Sequence, residues 1–125
     1  MNLSDSARLL LRQMLQKPLY VVVRVPNDMS RFDELIEDHL KWAIAAEGRG
    51  ELFASGPFFD ERGEPGTSGG MSILRATSIE EVQTILSDDP FIQEKVYTAS
   101  IRKWLLMEGG ITVNLRFADR SYTLE

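Results

Sequence analysis

The stretch "LYVVVRVPNDMSRFDELIEDHLKWAIAAEGRGELFASG", residues 19–56, decides the fold because its hydrophobic period changes twice. Residues 19–25, "LYVVVRV", are an unbroken β-branched and aromatic run, the pattern of a central buried strand. Pro26, Asn27 and Asp28 break it. Ser30 then offers an N-cap for a helix to about Glu47, with Asp33, Glu34 and Glu37 near the positive end of its dipole and Gly48 ending it. Phe32, Leu35, Ile36, His39 and Ala43 recur at i+3/i+4 spacing, so His39 lies on or beside the core-facing stripe. Trp42, a heptad after Leu35, flanks the same face. "ELFASG", residues 51–56, alternates and reads as a second strand.

Working outward, residues 57–69 are dense in Gly, Pro, Ser and charge and read as a loop, entered by a turn at Gly56-Pro57. "GMSILRA", residues 70–76, is a third strand. Ser78 and Glu81 form an S-x-x-E capping box that opens the helix "SIEEVQTILS". Asp88-Asp89-Pro90-Phe91 tempts as an acidic metal pair, but a turn explains it better: the acids begin it, Pro fixes φ, and Phe drops into the core. "VYTASIRKWLLME", residues 96–108, alternates as a long fourth strand.

The order β-α-β-β-α-β is that of a ferredoxin-like α+β fold, an antiparallel four-stranded sheet with two helices on one face. The sheet's other face is left apolar and uncovered, which predicts back-to-back dimerisation. Outside this unit, residues 3–17 read as an amphipathic helix capped by Ser4 or Asp5, stopped by Pro18, and in need of something to pack on. In the tail, Ile111, Val113, Leu115 and Phe117 alternate, and Asp119-Arg120 turns the strand into a hairpin. A strand needs a pairing edge, so the hairpin is expected to add to this sheet or to a neighbouring subunit's. The expected organisation is a helical extension at 1–18, the ferredoxin-like domain at 19–108, and a strand extension at 109–125.

Composition narrows the chemistry. A net charge of −5 with no basic block argues against nucleic acid as a partner. There is no cysteine and one histidine, so a zinc site would need carboxylates for almost every ligand. Walker and dinucleotide glycine motifs are absent, and no run approaches the roughly 20 apolar residues of a membrane span. No signal-peptide pattern is visible, and the expected setting is cytoplasmic. Side chains, with no cofactor and no metal, must carry any chemistry.

Several stretches together resemble the YCII-related family: His39-Leu40 on the first helix, "GRGELFASGP" leading out of it, Asp60 after the Gly-Pro, "ATSIEEVQTILSDDPF", and the Trp-ending strand "SIRKW". The resemblance covers roughly residues 19–105. It implies a dimeric α+β barrel, distantly akin to muconolactone isomerases, with an active site at a His–Asp pair. Known activities in the family include dehydrochlorination of a chlorinated hydroxyhydroquinone. By position His39 matches the family histidine; Asp60 is the best match for the aspartate, with Glu61 as competitor.

The residues themselves leave two readings of His39: a ring hydrogen-bonded within the core, or a general base. Histidine titrates near pH 6.5 when unperturbed, and a carboxylate accepting its N–H fixes the tautomer. Such a pair suits proton removal beside a carbonyl or phenol. Asp60 reads otherwise as a solvated loop acid. Ser55 has no nucleophile-elbow context but can offer a hydroxyl to the same pocket. Trp42, Phe58 and Phe59 can wall an apolar pocket or simply pack. Arg75 can hold a substrate carboxylate or lie exposed on its strand. Trp104 reads as packing, in the core or across a dimer.

The leading expectation is therefore a cofactor-free homodimer, or higher homo-oligomer, performing isomerisation or elimination on a small organic acid or phenol. A non-catalytic ligand-binding or assembly domain is the first alternative, with His39 structural. A cofactor-free monooxygenase of the dimeric-barrel type is the second.

Overall fold

The computed structural model describes residues 2–125; Met1, where the expected N-terminal extension begins, lies outside them. The chain divides into two units, Pro18–Leu105 and a second formed by the two chain ends.

In the larger unit the elements run β1 (Lys17–Pro26), a 3-10 turn (Met29–Arg31), α2 (Phe32–Gly48), β2 (Leu52–Phe59), β3 (Pro65–Leu74), α3 (Ile79–Leu86), α4 (Pro90–Gln93) and β4 (Tyr97–Leu106). The sheet order is β2-β3-β1-β4, and β3 pairs antiparallel with both β1 and β2. This is a mixed α/β unit in which β3 lies between β1 and β2, so helix α2 must cross the sheet to join them. Among the described residues no helix is long and apolar enough to cross a membrane.

Period-two alternation sorts the β1 side chains. Tyr20, Val22 and Arg24 are buried, whereas Val21 and Val23 are only partly covered and stand opposite Ile73 and Met71 of β3. Tyr20 and Val22 join Trp42 and Ala46 of α2, Leu52, Leu74, and Val82, Ile85 and Leu86 of α3 in the main core. A second cluster gathers Leu35, Phe91, Val96 and Tyr97, with Phe32 and Ile36 packed against it. Each buried Val, Leu, Ile or Phe among them contributes about 1.5–3 kcal/mol.

Several local expectations need correction. Strand β2 does not end at Gly56 but runs through Pro57 to Phe59, and β3 begins at Pro65, so the expected 57–69 loop shrinks to a short turn. Strand β2 lies at the sheet edge, where a proline's missing N–H forfeits no ladder bond. Pro57 stands opposite Gly70, and a Cβ on Gly70 would lie 2.6 Å from the Gly56 carbonyl oxygen. Gly69, at φ +80°, packs so closely on β1 that a Cβ would overlap the Arg24 carbonyl. Ser30 does not cap α2: the Asp28 carboxylate takes its amide at 3.1 Å and its hydroxyl at 2.7 Å. In α3, Ser78 caps as expected by accepting from the Glu81 amide, but Glu81 reaches back to the amide and hydroxyl of Thr77.

In the second unit, α1 (Asp5–Gln13) is capped by Ser4, ends before residue 17, and has no buried residue. Met14, in extended backbone conformation, is its C-cap, so residues 14–16 lie outside the helix. Strands β5 (Val113–Arg116) and β6 (Ser121–Leu124) form the expected hairpin, turned at Asp119, whose carboxylate accepts from the Ser121 amide and hydroxyl. They make a separate two-stranded sheet and are not paired to the four-stranded one.

Candidate functional site

The α3–α4 corner builds the centre of the site. Leu86 closes α3 by accepting the Asp89 amide, and Asp89 then caps α4, its Oδ1 accepting the Phe91 amide at 3.0 Å. Pro90 at the first helical position fixes φ and gives up an amide that would be unpaired there. This short turn aims two groups at one histidine. The Asp89 carboxylate lies 2.8 Å from His39 Nδ1, and the Phe91 ring stacks on the imidazole at a centroid distance of 4.3 Å and 17°. One fixes the ring's edge and the other its face.

Asp89 is fully buried, so its charge must be compensated. Arg24, projecting inward from β1, places Nη1 2.5 Å from Asp89 Oδ2 and Nε 3.1 Å from Ser72 Oγ. Its guanidinium also sits 5.5 Å from the centroid of the Trp42 ring. Burial by itself pushes the Asp89 carboxyl pKa up; the His39 hydrogen bond, the Arg24 charge and the Phe91 amide outweigh it and hold the pKa below the ordinary carboxylate range. An ionised carboxylate only accepts, so Nδ1 of His39 carries the hydrogen. In the neutral ring Nε2 is then the free base.

His39 keeps 17% of its side chain exposed, and the exposure opens on a cleft of about 380 Å³ between α2 and the β2–β3 side of the sheet. Ile36, Leu40, Ala43 and Ile44 form the helical wall; Phe53, Ser55, Gly56 and Pro57 form the strand wall; Arg24 and Tyr97 also line it. The Tyr97 hydroxyl donates to the Gly66 carbonyl at 3.2 Å, and burial, only partly offset by Arg24, raises its pKa. Ser55 Oγ lies 2.9 Å from Ser72 Oγ, so a polar chain runs from Arg24 through Ser72 to the cleft wall.

The structure brings together only some of the residues singled out in the sequence. His39 and Ser55 line the cleft. Asp60 does not orient His39: its carboxylate accepts the amides of Arg62 at 2.8 Å and Glu64 at 3.0 Å within the β2–β3 turn. Glu61 is exposed in the same turn. Trp42 is buried in the core, with its Nε1 unpaired among the described residues, and does not line the cleft. Phe58 and Phe59 are exposed, and Phe53 stands on the cleft wall in their place. Arg75 lies over the Phe53 ring at 4.9 Å and donates to the Gly50 carbonyl, away from the cleft.

Arg24, Ser72, Asp89 and Phe91 are the additions. A charge inside the run "LYVVVRV" is the signal for the first, since a buried guanidinium requires an acid. Asp89 carries no comparable signal, because capping alone accounts for it. Among the described residues no cluster of three or more His, Cys, Asp or Glu side chains is placed to hold a metal ion.

A family model described as "YCII-related domain" matches residues 18–104. In structure the chain is similar to 5-chloro-2-hydroxyhydroquinone dehydrochlorinase from Burkholderia phenoliruptrix AC1100, solved with 2,5-dihydroxybenzoquinone. That match has a TM-score of 0.54 at 19% identity and covers 69% of this chain and 92% of the other. No curated protein matches the chain.

Proposed function

We propose that this chain, which belongs to the YCII-related domain family, is a small cofactor-independent enzyme that performs acid–base chemistry on a small organic acid or phenolic compound. The reading rests on one observation, the 2.8 Å contact of His39 Nδ1, at the wall of a cleft, with the buried Asp89 carboxylate. In this reading His39 Nε2 takes a proton from a substrate O–H or C–H bond. The freed electron pair moves into the ring or carbonyl system. In an elimination the leaving group departs with its own pair; in an isomerisation the proton returns to another carbon. Asp89, staying ionised, stabilises the imidazolium that forms between the two steps. The apolar helical wall suits the hydrocarbon part of such a substrate.

The first compounds to test are 5-chloro-2-hydroxyhydroquinone, followed by chloride release, and 2,5-dihydroxybenzoquinone, followed by binding. The expected result is turnover that His39→Ala abolishes without unfolding the protein. Binding of the quinone with no turnover by the wild type would overturn the catalytic reading and favour a ligand-binding domain, and turnover undiminished in His39→Ala would remove His39 from the chemistry.

The assembly proposed with it is a homodimer packed through the outer sheet face. Val21, Val23, Ile73 and Met71 share that face, joined by Trp104, which has the opposite parity to the inward Ile101 and is 40% exposed. Light scattering should give a dimer for the wild type and a monomer for Met71→Asp. A monomeric wild type would count against the assembly while leaving the His39 chemistry standing.

A further inference from the structure

Arg24 is buried to 5% exposure, yet only part of its donor fork is used. Its Nε serves Ser72 and its Nη1 serves Asp89, while Nη2 is buried with no hydrogen-bond partner among the described residues. A guanidinium has five N–H donors and never loses its charge, so an unused buried amino group is costly to keep dry. The residue is nevertheless one of those lining the cleft into which His39 opens. Ser55, on the same wall, is tied to Arg24 through Ser72, and its hydroxyl can turn toward a ligand while the Ser72 oxygen serves as its neighbour.

We propose that Arg24 Nη2, with the Ser55 hydroxyl beside it, is an oxyanion-binding corner of the cleft, and that the ligand is a small molecule carrying an ionised oxygen. The assignment rests on the cleft being the substrate site, as proposed above. Three features converge on it. Asp89 neutralises Arg24 through one nitrogen and leaves the other free for a second anion. Arg24 and His39 line one cleft, so a single small molecule that reaches Nη2 can hold its charged oxygen there and present a proton to Nε2. The rest of the cleft is largely apolar, which strengthens a charge-assisted contact by keeping water away. A carboxylate and a phenolate or enolate satisfy the same corner. In the second case the oxygen would be the one on which charge builds during proton abstraction, and Arg24 would stabilise it.

The test compares ionised probes with neutral counterparts by calorimetry at mildly alkaline pH: benzoate against benzamide for a carboxylate, and 4-nitrophenolate against nitrobenzene for a phenolate. The wild type should prefer at least one anion by roughly ten- to hundredfold, the range expected for a charge-assisted hydrogen bond. The arm with the larger preference names the source. Arg24→Lys keeps a cation for Asp89 but loses the fork, and most of the preference should disappear. Ser55→Ala, at an exposed edge-strand position, should fold normally and weaken the preference severalfold.

Should Arg24→Lys fail to fold, the wild type itself decides. Arg24 is the buried arginine among the described residues, and its slowly exchanging guanidinium protons should shift in NMR spectra on addition of the preferred anion. Equal affinity for anion and neutral probe in both arms would overturn the assignment. So would a preference that survives Arg24→Lys in a folded protein, or guanidinium resonances that ignore the anion. His39→Ala should leave the anion preference intact, so losing the preference while His39-dependent turnover persists sinks only the Arg24 corner.

Discussion

Of the aspartates that cap turns in the larger unit, Asp60 and Asp89 differ instructively. In the β2–β3 turn, Asp60 Oδ1 accepts the amides two and four residues on. At the α3–α4 corner, Asp89 Oδ1 accepts the amide two residues on. Locally the two do the same work, as short acids that satisfy backbone N–H groups where the chain changes direction. What separates them is what arrives from elsewhere in the chain. Among the described residues the Asp60 carboxylate bonds only within its own turn, with the Arg62 guanidinium 3.9 Å away. Asp89 is fully buried and meets Arg24 from β1 and His39 from α2. A turn-capping acid becomes part of a candidate catalytic site through its remote neighbours, and the capping explains neither.

Asp89→Asn presses hardest on that contrast. A carboxylate offers acceptors to both donors, His39 Nδ1–H and Arg24; an amide offers one oxygen and one NH2 group. If the oxygen stays on Arg24, the NH2 faces Nδ1, and the imidazole must move its hydrogen to Nε2 and lose the free base there. Activity should fall by on the order of 10³–10⁴. The buried guanidinium is left without its counter-charge, at a stability cost of roughly 3–5 kcal/mol. Urea denaturation together with turnover measures both. A stable, active variant would mean that Asp89 is only a cap, like Asp60.

His39→Gln separates the two roles. It removes the base but leaves the Arg24–Asp89 pair in place and can still donate toward the carboxylate. Turnover should drop by about 10²–10⁴, with a stability loss near 1 kcal/mol, that of a single hydrogen bond. A collapse in stability at unchanged activity would make the imidazole a structural ring clamped by Phe91.

Acid unfolding supplies a third measurement. The folded-state pKa of Asp89 lies below its unfolded value of about 3.9. Its ionisation therefore contributes stability that is fully present above about pH 4 and is lost as pH falls through the lower folded-state value. The melting temperature should decline over this acid range, and Asp89→Asn should flatten the decline. An unchanged slope in the variant would show that other carboxylates govern acid unfolding.

The same contrast marks how far the sequence could be read. An unbroken apolar run is enough to place β1, and apolar spacing is enough for α2, α3 and β4. A proline reads as a break until the strand is known to lie at an edge, so the sequence alone ends the second strand at Gly56-Pro57. His39 stood out as the lone histidine on a helix face. Its partner did not, because Asp60 and Asp89 look alike at the level of turn chemistry and only the folded sheet brings residue 89 to residue 39. Arg24 gave the clearest unused hint: a charge among buried β-branched residues demands an acid, although nothing in the run says which.

Asp60→Asn is the smallest expected effect and the control that gives the others meaning. Asn retains the Oδ1 oxygen that accepts the Arg62 and Glu64 amides, so the turn keeps its hydrogen bonds. The exposed contact with Arg62, at 3.9 Å, belongs to a class of ion pairs whose contribution is small. Stability should change by less than about 0.5 kcal/mol, as for ordinary surface substitutions. Turnover should stay within about twofold, because the carboxylate touches neither the imidazole nor the cleft wall. A loss comparable to that of Asp89→Asn would require the β2–β3 turn to carry Asp60 onto His39 when substrate is bound, and would move the catalytic acid back to the turn.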